Sequence, residues 1–122
     1  MRRIAIVGGP GTGKTTQAKL WAVTPCHADQ WTNLPWSDQS AQVVMWLAAQ
    51  GEMPFVIEGC MVVRGLRKWL QAYAGKPVDD VYLLRTPHRS LTKKQRALQR
   101  SVETIFAEIV PDLAARGVVI HG

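Results

Sequence analysis

Apolar residues along this chain fall into short unbroken blocks, separated by longer stretches in which they recur at helical spacing. Ile4-Ala5-Ile6-Val7 is the first block, four apolar residues without alternation, the pattern of a strand covered on both faces. Phe55-Val56-Ile57 after Pro54, Val78 to Leu84 and Val118-Val119-Ile120 repeat it. Val23 to Ala28 is a weaker strand, and Pro25 within it favours a sheet edge. Thr15 to Ala22 reads as a short helix with Ala18, Leu20, Trp21 and Ala22 available for packing. Ser37 is a plausible N-cap for a helix to about Gln50, with Val43, Val44, Leu47 and Ala48 as its apolar stripe and Gly51 as its stop. Val63 to Tyr73 gathers Leu66, Trp69, Leu70 and Tyr73 on one face, with Arg64, Arg67 and Lys68 mostly on the other. A polar loop, Arg85 to Ser90, precedes a long helix from about Leu91 to Val110, striped by Leu98, Val102, Ile105 and Ile109. Pro111 is expected to open a new helical turn, which Gly117 ends.

Strand followed by helix, repeated to the end, predicts an α/β fold: a parallel sheet with helices on both faces and right-handed crossovers. Such sheets bind ligands outside the C-terminal ends of their strands. That rule gathers Gly8 to Thr15, Asp29, Glu58 and Arg85 to Arg89 on one edge. The chain has no internal repeat, low-complexity segment or obvious linker, so residues 1–122 read as a single domain.

Composition adds a few limits. At 122 residues and 47% hydrophobic, the chain is of globular type. No apolar run approaches the roughly 20 residues that span a bilayer. The basic start Met1-Arg2-Arg3 is followed by too short an apolar stretch for a signal peptide, so a cytoplasmic protein is expected. Cys26 and Cys60 lack metal-ligand spacing and are expected to be reduced and partly buried. The net charge of +6 favours anionic ligands, whether nucleotides or a nucleic-acid strand.

The first strand runs directly into Gly8-Gly9-Pro10-Gly11-Thr12-Gly13-Lys14-Thr15, which fits the P-loop pattern G-x-x-x-x-G-K-[ST]. Glycines allow the tight turn and bring backbone N–H groups against a phosphate. The candidate nucleotide-binding residues are therefore Gly8, Gly9, Pro10, Gly11, Thr12, Gly13, Lys14, Thr15 and Thr16. Lys14 is expected to reach the β- and γ-phosphates, and the Thr15 hydroxyl to bind Mg²⁺. Phosphoryl transfer also needs an acid for the metal or the acceptor, and cations for the moving charge. Asp29 and Glu58, each after a predicted strand, are the candidate acids, in metal binding or as the base for an acceptor hydroxyl. The candidate cations form two groups: Arg64, Arg67 and Lys68, then Arg89, Lys93, Lys94, Arg96 and Arg100. Of the five tryptophans, Trp21, Trp46 and Trp69 are expected in the core. Trp31 and Trp36 flank the loop where an acceptor would enter, either packing there or stacking a flat ligand. His27 and His88 read as local hydrogen-bonding residues near the same edge.

Gly8 to Ala22, Phe55 to Arg64 and Val81 to Arg100 together resemble the adenylate-kinase-like group of P-loop kinases, which includes nucleoside monophosphate, shikimate and polynucleotide kinases. The resemblance implies a three-layer P-loop NTPase fold with a five-stranded parallel sheet in the order 2-3-1-4-5. It also implies Mg-ATP as donor, Arg89, Arg96 or Arg100 as lid arginines, and Arg64 as an acceptor-binding residue. The chain is shorter than such kinases usually are, and carries Glu58 where nucleoside monophosphate kinases commonly have aspartate. The expected activity is transfer of the γ-phosphate of Mg-ATP to a small acceptor, a nucleoside or nucleotide. The alternatives are a 5′-polynucleotide kinase and an ATPase module that serves a partner.

Overall fold

The computed structural model describes residues 2–18, 24–85 and 90–122. Leu20, Trp21, Ala22 and Val23 of the predicted first helix and second strand, and His88 and Arg89, lie outside the described residues. Five strands form one sheet: β1 (Arg3–Gly8), β2 (Cys26–His27), β3 (Phe55–Glu58), β4 (Asp80–Leu84) and β5 (Val119–His121). Their order is β2-β3-β1-β4-β5, and every neighbouring pair is parallel. The described helices are α1 (Lys14–Ala18), α2 (Trp36–Gln50), α3 (Val62–Ala72) and α4 (Lys93–Ala115). Among the described residues no helix is long and apolar enough to cross a membrane.

The unbroken apolar run of β1 is used on both faces, because successive strand side chains point to opposite sides. Ala5 and Val7 enter the larger core with Val43 and Leu47 of α2, Leu66 and Leu70 of α3, and Val102, Ile105 and Ile109 of α4. Ile4 and Ile6 enter a smaller cluster with Val56 and with Ala18 of α1. A central strand covered on both sides is thus fixed in register, and the register aligns the strand ends. Ile6 pairs with Glu58, His27 with Glu58, and Gly8 with Leu84.

Several boundaries differ from the sequence reading, each for a local reason. The second strand is only Cys26–His27; Ala28 already opens a 3-10 helix, Ala28–Trp31, in which Thr32 N–H donates to Asp29 O at 3.2 Å. It is an edge strand, as Pro25 suggested. Ser37 is not the N-cap of α2: Pro35 holds that position, and Gln39 N–H donates to its carbonyl at 2.9 Å, leaving Ser37 inside the first turn. Tyr73 lies just past α3 and is 47% exposed, outside the core stripe, although its ring meets Trp69 at 5.2 Å. Helix α4 begins two residues later than Leu91 suggested, because Thr92 and Gln95 form a reciprocal capping box with bonds of 3.2 and 3.0 Å. It also runs through Pro111 instead of restarting there. Pro111 and Ala107 are both exposed, so water can meet the carbonyl that the missing N–H frees, while buried Ile109 and Leu113 hold the helix on either side.

The opposite edge of the sheet is tied by acids. Asp79 accepts from Arg3 N–H at 2.8 Å and from Lys76 Nζ at 3.2 Å, and its own N–H donates to Arg3 O at 2.8 Å. Asp80 meets Arg2 and, at 3.0 Å, His121 Nε2; His121 stacks on Tyr82. Burial pushes the Asp79 carboxyl up, but the Arg3 N–H and guanidinium and the Lys76 ammonium more than offset it and hold it well below the usual carboxylate range. A folded-state pKa below the unfolded one stabilises above the unfolded value, about 3.9, and that contribution is lost as pH falls through the folded value. Asp79→Asn is expected to lose about 1–3 kcal/mol at neutral pH. Urea unfolding of variant and parent checks this: the gap should narrow as the pH is lowered below about 4.

Candidate functional site

The glycine-rich loop connects β1 to α1 and is shaped by the two places where it turns back on itself. Gly11 and Gly13 have φ of 72° and 87°, the left-handed region that side chains disfavour. Gly9 carries two bonds on one carbonyl: it accepts from Thr12 Oγ1 at 2.8 Å and from Lys14 Nζ at 2.7 Å. Gln17 N–H then donates to Gly13 O at 2.9 Å, starting α1 from the loop's last glycine. Lys14 is only 6% exposed, so its ammonium is held beneath the loop with two further N–H donors to offer.

Beside the loop stands Glu58, the last residue of β3, at 1% exposure. Its Oε1 faces His27 Nδ1 at 2.7 Å and accepts from Thr15 Oγ1 at 3.4 Å. Its Oε2 is buried and has no hydrogen-bond partner among the described residues. A carboxylate withdrawn from water costs several kcal/mol unless paired, so a half-satisfied one marks a place where a cation or donor is wanted. A cavity of about 260 Å³ is lined by Pro10, Gly11, Gly13, Lys14, Thr15 and Thr16 together with Asp29, Glu58 and Cys60. Asp29 comes from the 3-10 helix and is exposed. Burial pushes the Cys60 thiol up, against the pull of Lys14; burial likewise pushes Cys26 up to about 11.

The acids and the loop are therefore brought together as the sequence suggested, and Arg64, Arg96 and Arg100 are not brought to them. Arg64 lines a separate groove, donating to Ser101 Oγ at 2.6 Å with its guanidinium 4.9 Å from the centre of the Trp36 ring. Arg96 is exposed and donates to Leu91 O at 2.8 Å, and Arg100 is exposed; neither lines the cavity. Gly8, Gly9 and Thr12 are buried and do not line the cavity. Trp46 and Trp69 are partly buried against the core as expected, and so is Trp31, whereas Trp36 is 54% exposed.

His27 hydrogen-bonds near this edge as expected, its Nδ1 meeting Glu58 Oε1 at 2.7 Å; that partner depends on the pairing of a two-residue strand, which no pattern specifies. Two further residues beside the loop carry no signal in the sequence. Cys60 follows Glu58-Gly59 and lines the cavity. Gln99 of α4 lies against the loop: a Cβ built on Gly9 would sit 2.5 Å from Gln99 Cβ and 2.8 Å from its Cα. The Gln99 amide also donates to Arg85 O and, at 3.2 Å, to Glu103.

Among the described residues no group of three or more His, Cys, Asp or Glu is clustered for a metal. The donors around the cavity that suit a hard cation are oxygens, from Thr15, Glu58 and Asp29. No protein-family model matches the chain, and no curated protein matches it.

Gly9→Ala is expected to destabilise the protein by about 1–3 kcal/mol, since the added methyl meets helix backbone and cannot be cleared by a rotamer change alone. Thermal unfolding of the purified variant measures it; an unchanged melting temperature would show that α4 does not rest on the loop as described.

Proposed function

We propose that the chain is a P-loop phosphotransferase of the adenylate-kinase-like group, which moves the γ-phosphate of Mg-ATP to a nucleoside- or nucleotide-type acceptor. The observation that carries the reading is the buried, half-satisfied carboxylate of Glu58 beside Thr15 and Lys14 on one cavity wall. A glycine-rich turn serving only structure has no need of a charge buried against it. The sheet order and the position of the loop after the central strand support the same reading.

The residue roles follow from the chemistry. The backbone N–H groups of Gly9 and of residues 11 to 16 cradle phosphate oxygens, Pro10 having none to offer. Lys14 releases the Gly9 carbonyl and donates to the β- and γ-phosphates, at little entropic cost because its stem is already buried. Thr15 Oγ1 and Glu58 would hold Mg²⁺. The ion would supply positive charge against that which develops on the phosphates during transfer. His27 and Thr15 both meet Oε1 of Glu58 and so orient the carboxylate, leaving Oε2 to the metal. Asp29, exposed at the cavity mouth, positions the acceptor and accepts its proton where the acceptor is a hydroxyl.

Labelled ATP incubated with nucleosides, nucleotides and 5′-hydroxyl oligonucleotides tests the activity. Transfer to a nucleoside or nucleotide supports the reading; transfer to the oligonucleotides alone favours a 5′-polynucleotide kinase, and hydrolysis with no transfer an ATPase module. Lys14→Ala is expected to remove nucleotide-dependent turnover, and Glu58→Gln to lower it by on the order of a hundredfold, the size of one key electrostatic contact. If Glu58→Gln turned over at the parent rate, Glu58 would have no part in the site.

A further inference from the structure

A second groove, of about 390 Å³, lies on the outer helix layer, lined by Trp36, Ser37 and Ser40 of α2, Arg64, Arg67, Lys68 and Gln71 of α3, and Glu108 of α4. From it we infer a binding site for single-stranded nucleic acid, separate from the glycine-rich loop and independent of phosphoryl transfer. The charge is the first argument. Arg64 has no carboxylate partner among the described residues: it donates to the neutral Ser101 hydroxyl. Lys68 Nζ donates to Ser37 O at 3.2 Å, again without a counter-charge. Arg67 is partly met by Glu108 at 3.5 Å. Burial, and then the like charge of Arg67, push the Arg64 guanidinium below its usual pKa, so the one carboxylate of the groove, Glu108, does not offset the crowding at Arg64.

Shape and chemistry narrow the occupant. Arg64, Arg67 and Lys68, and Gln71 succeed one another along one helix, so cations and an amide line a track about 10 Å long at 1.5 Å per residue. A single phosphate would be met by converging cations, whereas a track suits a chain of phosphates. At the track's upper end Trp36 is 54% exposed, with the Arg64 guanidinium 4.9 Å from its ring centre. An exposed indole carrying a guanidinium is a stacking platform for a flat base, and base stacking with a cationic track is how single strands are held without sequence preference. An acidic peptide would use the cations and leave the indole without a role. Lys93, Lys94, Arg96 and Arg100, all exposed on the first half of α4, and the net charge of +6 add a field that attracts a polyanion.

The test is fluorescence anisotropy of labelled single-stranded DNA and RNA dodecamers with the full chain, without ATP, over a range of salt. Binding that weakens steeply with salt is expected, as counterions are displaced from the strand. Arg64→Ala combined with Lys68→Ala is expected to weaken it by about tenfold or more and to lower the salt slope by roughly two, one per lost phosphate contact. Trp36→Ala is expected to weaken binding severalfold while leaving the salt slope unchanged, which separates stacking from charge. Circular dichroism and urea unfolding establish that each variant is folded; if the double variant is not, Lys68→Gln alone replaces it, with a loss of about one in slope. The inference is overturned if folded variants bind as the parent does. It is overturned equally if an acidic peptide or an anionic phospholipid vesicle binds as tightly as the dodecamers.

Discussion

A carboxylate shut inside a sheet edge is the constraint around which this molecule is arranged. Glu58 sits where almost no water reaches it, between the imidazole of His27 and the hydroxyl of Thr15. Its position is set by strand register: β3 is held between β1 and the short β2, and neither neighbour can slip without reversing which face its apolar residues meet. The central strand, apolar on both faces, supplies the rigidity. The loop that follows it runs into α1, whose Thr15 donates to that carboxylate. A mobile acid on a surface loop would find its own partners in water and ask nothing of its surroundings; this one is kept waiting by the packing around it.

Two concave surfaces differ in what they are made of. The cavity beside the loop has a glycine-rich backbone, oxygen donors and one buried ammonium, a lining that suits the phosphates and metal ion proposed for it. The groove on the far side of α3 is built of long cationic side chains and an open indole. Arg64 belongs to the second, because the turn of helix α3 on which it lies points toward Ser101 of α4 and Trp36 of α2 rather than back toward the loop. Nearness to Glu58 along the chain does not place Arg64 beside the loop, because residues 59–61 intervene before α3 and Arg64 lies in its first turn, facing Ser101 and Trp36.

Much of the architecture was legible in the sequence because it rests on local signals. The runs Ile4 to Val7 and Phe55 to Ile57 leave little freedom: unbroken, short and apolar, they must be strands covered on both sides, and a parallel sheet follows from the helices between them. The glycine-rich loop carries its own geometry in Gly11 and Gly13. What was not legible depends on contacts between distant residues. The start of α2 went to Pro35 rather than Ser37 because a fixed φ at the boundary outweighed a capping hydroxyl. Pro111 sits within α4 because buried residues on either side outweigh one lost hydrogen bond. The pairing of His27 with Glu58 and the approach of Gln99 to Gly9 are products of tertiary packing, and no pattern within a window of sequence contains them.

That last contact makes residues 9 and 99 one steric object. The space a side chain at Gly9 would fill is already taken by the stem and backbone of Gln99, whose amide also grips the carbonyl at the end of β4. Neither position can drift alone. A larger residue in the loop requires α4 to retreat, and a retreating helix gives up its hold on Arg85. Among descendants of this sequence, change at residue 9 should therefore be accompanied by change along α4, so that the loop's inheritance is written partly in a helix ninety residues away.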